Sequence, residues 1–334
     1  MKKWLVIFAA LFVAISSYAQ DLKTYIPADA MVVLSADGSA ILDSTFFRRV
    51  IFISTQKTVD DMLKEKGLTL EQAKKQCGTT LIFLKLAATT PTVQLDGGAV
   101  VCSSDKDFYK NINTITQQSL DAELKKNADF LATLQQSGIK VGLTKVEGKN
   151  SILLSMQGNP SAQVILTGIS NRMFQARLAT DKPAEKAMLK PLKQYSALTK
   201  KINYKALFSV ACDVQAFVKK VPEMQQDPVA ASLKIVSVSI SENNNDLILQ
   251  ADIEATSPDA ANMLHAQMNA VLATLKADPA NKALADMMKL NIQGTKVEFR
   301  GAFPIDFVIN MLVNAAAKNS QKPANTPPAA PAAK

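Results

Sequence analysis

Ile235-Val236-Ser237-Val238-Ser239-Ile240-Ser241 is followed, after Glu242-Asn243-Asn244-Asn245-Asp246, by Leu247-Ile248-Leu249-Gln250-Ala251-Asp252-Ile253. Val236, Val238 and Ile240 alternate with Ser237, Ser239 and Ser241, the period-two pattern of a strand with one buried and one wet face. The asparagine run supplies the turn of a hairpin. It also resembles half a calcium loop, but the later Glu is missing and the hairpin reading is preferred. An antiparallel sheet covered on one side follows, and with it an α+β class.

Outward from the hairpin, the pattern predicts a strand over Ala206–Asp213, a short helix to Lys220, and a helix over Pro258–Lys276. A shorter helix near Lys282–Leu290, a strand over Ile292–Phe303 and a last helix over Ile305–Lys318 complete this unit. The same scheme opens the chain. Ala30-Met31-Val32-Val33-Leu34-Ser35-Ala36-Asp37-Gly38-Ser39-Ala40 matches Ala206-Leu207-Phe208-Ser209-Val210-Ala211-Cys212-Asp213-Val214-Gln215-Ala216, and Thr144-Lys145-Val146-Glu147 recurs as Thr295-Lys296-Val297-Glu298. Helix starts at Ser104–Asp107 and Ser257–Asp259 fall between these anchors. A diverged internal duplication is therefore expected, the second copy lacking the equivalent of Lys64–Gly78, where Thr69 and Gln72 form a capping box.

Between the anchors, the first copy reads as a helix over Thr45–Leu63 and strands over Leu81–Leu86 and Val93–Cys102. Pro91 marks a turn and Gly97-Gly98 a bulge or bend. A long amphipathic helix over Asp105–Gln136 comes next, then strands over Ile139–Val146, Ser151–Met156, Gln163–Ile169 and Met173–Ala179. The resulting division is a first unit over 20–181, a Lys-rich connecting segment over 182–202 and a second unit over 203–317. An Ala/Pro-rich tail over 318–334 is too poor in apolar residues to order itself.

Residues 1–19 read as a cleaved signal peptide. Lys2 and Lys3 precede an apolar run from Trp4 to Ile15, too short for the ~20 residues of a membrane span, and Ser17-Tyr18-Ala19 suits signal peptidase. No cysteine follows to accept a lipid. Localisation is expected in the periplasm or at the cell surface, with no transmembrane segment after cleavage.

Loss of Lys2 and Lys3 lowers the formal charge from +9 to +7. Only five of the 38 basic residues are Arg and the lysines are scattered among acids, which argues against nucleic acid as a partner. Cys77, Cys102 and Cys212 lie at neither metal nor redox spacing and read as small core residues; whether any two are bridged stays open.

His265 is the single histidine, so a Ser-His or Cys-His hydrolase would have to use it. It sits at the flank of a helical apolar stripe. Asp37 and Asp213 end the two matching strands and could share a cation or a proton; each could equally organise the turn into its helix, the preferred reading. Met263, Met268 and Met288 are candidates to line an apolar pocket under the sheet, against a plain core role. No metal or cofactor is expected.

Tyr25-Ile26-Pro27-Ala28-Asp29-Ala30, leading into the strand from Met31, together with Ser257-Pro258-Asp259-Ala260-Ala261 and Gly301 before the last helix, resembles bacterial exported proteins grouped as a domain of unknown function. Their mature chains open on a Pro-x-Asp-Ala motif. The resemblance implies an envelope protein and brings no catalytic residues. The expectation is a non-enzymatic binding or structural component with an envelope protein or apolar ligand as partner. Two rivals are a periplasmic carrier of an apolar or lipid-like ligand and a hydrolase built on His265 or the Asp37/Asp213 pair.

Overall fold

A computed structural model describes residues 22–88, 94–105, 107–126, 128–157, 159–179, 190–279 and 281–320. The expected leader, the Pro91 turn, the start of the connecting segment and the tail from 321 lie outside them. The first half runs β1 (Val32–Asp37), α1 (Gly38–Asp43), α2 (Thr45–Thr55), α3 (Val59–Glu65), α4 (Leu70–Gln76), β2 (Thr79–Ala88), β3 (Gln94–Cys102), α5 (Gln117–Lys126), α6 (Ala128–Gln136), β4 (Ile139–Val146), β5 (Lys149–Met156), β6 (Asn159–Ser170) and β7 (Met173–Ala179). The second runs β8 (Phe208–Asp213), α7 (Val214–Lys220), α8 (Pro222–Gln225), α9 (Pro228–Ser232), β9 (Leu233–Asn243), β10 (Asp246–Ala255), α10 (Pro258–Ala277), α11 (Lys282–Asp286), β11 (Met288–Gln293), β12 (Lys296–Pro304) and α12 (Ile305–Ser320). All twelve strands form one antiparallel sheet in the order β11-β12-β10-β9-β8-β1-β2-β3-β7-β6-β5-β4.

Local chemistry accounts for where the elements differ from expectation. The helix expected over Thr45–Leu63 is two helices, because Gln56 turns left-handed (φ 58°) and Thr58 with Asp61 forms a capping box that starts α3. The Thr69/Gln72 box does open α4. The long helix over Asp105–Gln136 is instead turns, a 3-10 segment over Ile112–Thr114, α5 and α6. Thr116 accepts the Ser119 amide and begins a new helix there, while Tyr109 is drawn inward onto Phe174, ring centroids 4.8 Å apart. The Ile292–Phe303 strand is a hairpin, since Gly294 at φ 59° turns the chain between β11 and β12.

Gly97 and Gly98 make neither bulge nor bend. They pair in regular register with Leu84 and Phe83, and the next irregularity lies at Leu86/Ala88.

The two halves meet at β1 and β8, which pair antiparallel in the middle of the sheet with Ser35 opposite Ser209. Each is followed by a helix capped by its last residue: Asp37 accepts the Ala40 amide and Asp213 the Ala216 amide. Each half then adds a hairpin, β2-β3 or β9-β10. The strand flanking that hairpin is entered through equivalent backbone bonds, Ser103 N–H to Arg172 C=O and Ala255 N–H to Thr295 C=O. Thr144 lies near the end of β4, before a turn, whereas Thr295 follows the turn at Gly294 and leads into β12. The first half carries one extra hairpin, β4-β5.

The central core lies on the face of the sheet carrying Val33, Leu81, Phe83, Val100 and Ala211, covered by Leu22, Tyr25 and Ile26 from the N-terminal segment and by Leu198 and Ile202. Residues 190–202, expected to connect, therefore build core. Leu192 N–H bonds Thr24 C=O, Ser196 N–H bonds Ile26 C=O, and Pro27 bridges Tyr195. This inverts the expected faces of β9. Ser237 and Ser239 are buried, sharing a face with buried Ser35 and Ser209, whereas Val236, Val238 and Ile240 are half-buried. Serine is small enough to be submerged between long neighbours such as Gln250 and Asp252, opposite them on β10.

A carboxylate ties the halves together. Glu242 at the end of β9 accepts from the Ser44 hydroxyl (2.6 Å) and from the Thr45 (2.9 Å) and Phe46 (3.2 Å) amides at the N-terminus of α2. Partial burial works against its ionisation, but these three donors outweigh that and hold it below the ordinary glutamate range. A lowered folded value gives stability that is present above the unfolded pKa and lost as pH falls through the folded one. Glu242→Gln should cost roughly 1 kcal/mol at pH 7, with the deficit shrinking below about pH 4.5, as urea unfolding at a series of pH values would read.

Candidate functional site

The other face of the sheet carries complete apolar rows. Ile82, Leu34, Val210, Val238, Ala251, Phe299 and Leu290 are successive cross-strand partners on seven strands, and Leu84, Val32, Cys212, Val236, Ile253, Val297 and Ile292 form the next row. At one end α1, α2 and α12 pack on this face around Ala36, Leu247, Ile41 and Ile305. At the other end α10 packs on Ile253 and Val297 through Ala261 and Leu264. Between them the seven residues of the first row are half-buried, Leu34 packing against the first cluster and Leu290 against the second. Seven strands at their usual spacing make this strip about 29 Å long. Its chemistry is apolar contact without charge.

A cleft of about 550 Å³ opens beside the first helix group, lined by Thr45, Arg48, Arg49, Phe52, Ile53, Thr58, Val59, Asp60, Asp306 and Ile309. A smaller one of about 230 Å³ lies on the serine-bearing face between Lys200, Lys201 and the strands carrying Ser237, Gln250, Asp252, Glu254, Lys296 and Glu298. Glu254 accepts from Lys234 (2.7 Å) and Lys201 (3.0 Å), hydrogen bonds that hold its carboxyl below the usual range. On the same face of the first half, Asp96 pairs with Arg177 (3.2 Å) and Lys85 (3.3 Å), and Lys85 reaches Asp29 (3.2 Å). Each of these clusters contains both signs of charge and internal partners, as structural networks do.

The residues singled out in sequence are dispersed. The β1–β8 register pairs Val32 with Cys212, placing Asp37 and Asp213 at opposite ends of the strand pair, about 20 Å apart along it. They cannot share a cation or a proton. Burial outweighs the amides of Ala40 and Ser39 and raises the Asp37 carboxyl, to which Asp43 adds repulsion. His265 lies half-buried on α10, Nε2 at 3.2 Å from the Asn269 side-chain amide.

Met263 and Met268 are five positions apart on α10, a rotation of about 140°. Met263 accordingly faces solvent while Met268 packs with Leu264, Leu290 and Ile292. Met288 opens β11 opposite Gly301. The three methionines do not form one wall, and neither cleft includes them.

Cys77 and Cys102 are buried and Cys212 is half-buried. Burial pushes Cys77 up to about 12, leaving it inert as a nucleophile at neutral pH. Among the described residues no group of three His, Cys, Asp or Glu could hold a metal, and no helix is long and apolar enough to cross a membrane. The apolar strip escaped sequence analysis because its valines were assigned to closed core; the serines between them were the available signal.

No protein-family profile and no curated protein matches this chain. Among solved structures it is similar to three crystal forms of the treponemal protein TP0453. Form I aligns with a TM-score of 0.44 at 7% identity over 90% of this chain and 98% of that one. Form III gives 0.46 at 8% over 88% and 98%, and form IV gives 0.44 at 8% over 87% and 96%.

Proposed function

We propose that this is an exported, non-enzymatic binding or structural protein of the cell envelope that takes an apolar partner on the helix-free strip of its sheet. The carrying observation is the continuous apolar row from Ile82 to Leu290, half-buried between two helix groups that reach it at Leu34 and Leu290. A sheet face of that composition gains free energy only by excluding water, at about 25 cal/mol per Å². The reading of a diverged duplication is supported by the paired central strands, the two aspartate caps and the matched backbone bonds at Arg172 and Thr295.

N-phenyl-1-naphthylamine fluorescence tests the binding face. Saturable enhancement is expected, displaced by palmitate, with Val238→Asp and Phe299→Ser each weakening it at least about tenfold while far-UV circular dichroism is unchanged. A protein that takes up no probe, or two variants that bind like the parent, would refute the assignment. Export is tested separately: fractionated cells should yield a mature chain beginning at Gln20, and an uncleaved cytosolic product would end that part of the proposal.

A further inference from the structure

Two helices on the outside of the molecule carry more apolar surface than their contacts use. Six of the eleven residues of α2 are Phe, Val or Ile, yet none is buried. Phe52 and Ile53 are 48% and 42% exposed. On α12, Met311, Leu312 and Val313 stand 45%, 47% and 43% exposed in succession. Here α2 and α12 pack on each other and on the sheet, and Ile51 of α2 packs with Leu42, Val59 and Leu63, while Phe52, Ile53, Val59 and Ile309 line the 550 Å³ cleft.

We propose that this α2/α12 surface docks a second copy of the chain in a two-fold dimer. The choice of occupant rests on charge. The cleft is rimmed by Arg48 and Arg49 and by Asp60 and Asp306, with Arg48 3.7 Å from Asp60 and Arg49 bound to Asp306. A two-fold interface sets a patch against itself, so a stable one must present both signs around its apolar centre. This rim has two of each. An anionic membrane surface would instead call for a basic rim, and Asp60 and Asp306 would be repelled by its phosphates. Phe52, lining the cleft and 48% exposed, would pack against the other copy's apolar face, the kind of aromatic anchor around which interfaces concentrate their energy.

Sedimentation velocity on the protein purified from its own cells, from roughly 1 to 100 µM, should show a monomer–dimer equilibrium. Phe52→Asp and Leu312→Asp should each raise the dissociation constant at least about tenfold. Both positions are exposed, so unchanged circular dichroism is expected. Arg49→Asp should weaken the dimer, and the exchanged pair Arg49→Asp with Asp306→Arg should restore it. A monomer throughout the range overturns the proposal, as does a dimer indifferent to both Phe52→Asp and Leu312→Asp. Phe52-dependent pelleting of a monomer with phosphatidylglycerol vesicles would assign the surface to lipid and overturn it equally. Probe binding by the Phe52→Asp protein keeps the sheet strip's function separable from this result.

Discussion

Gly98→Val should destabilise the protein by about 3 kcal/mol, lowering its urea midpoint sharply. A Cβ at Gly98 would stand 2.7 Å from the Ala176 carbonyl oxygen and 3.1 Å from two atoms of the Phe83 ring. Neither neighbour can yield. The carbonyl belongs to β7, which is bonded to β3 in regular register, and Phe83 is fully buried in the central core. Gly142→Ala is the control: nothing lies within 4 Å of that position, so the same measurement should find a change within about 0.5 kcal/mol. Should the two variants unfold alike, close packing of Phe83 over β3 is not what positions the core.

Asp96→Ala should cost about 3 kcal/mol at neutral pH, nearly as much as the glycine substitution. Arg177 is only 11% exposed and Asp96 16%, and the guanidinium has the Phe83 ring, 5.9 Å away, as its other neighbour of note. Removing the carboxylate leaves Lys85 with Asp29 alone and takes from the shielded Arg177 guanidinium the carboxylate that pairs with it. Asp96→Asn, which keeps volume and one acceptor, should lose less. Because the pair is shielded, the loss should persist in about 0.5 M salt, whereas exposed pairs such as Lys126–Glu123 should contribute little at any ionic strength. Equilibrium unfolding with and without salt distinguishes the two kinds of pair.

Much of the backbone could be read from residue patterns. The β4 strand over Ile139–Val146, the β7 strand over Met173–Ala179, the capping box at Thr69 and the hairpin around Asn244 all come from local chemistry: alternation, caps and turn residues act over a few positions. Errors arose where distant contacts decide. Tyr109 leaves a helical pattern to reach Phe174, and residues 190–202, polar and proline-bearing, become core through Leu198 and Ile202 because the N-terminal segment binds them. The apolar strip was the least legible part. Alternating Val and Ser shows that β9 has two faces, but which face is sealed depends on chain segments far away in sequence. Methionine content could suggest an apolar pocket, yet the 140° rotation between Met263 and Met268 disperses it.

Ser35 and Ser209, neighbours across the seam between β1 and β8, stand some 170 residues apart in the chain. The first half must therefore wait with its middle strand bare on one flank until the second half has been delivered, and closing so large a loop is entropically slow. Amides along that seam should be among the last to gain protection from hydrogen exchange during refolding. For any chain made amino end first, the interval before the seam closes is when a chaperone would have most to shield.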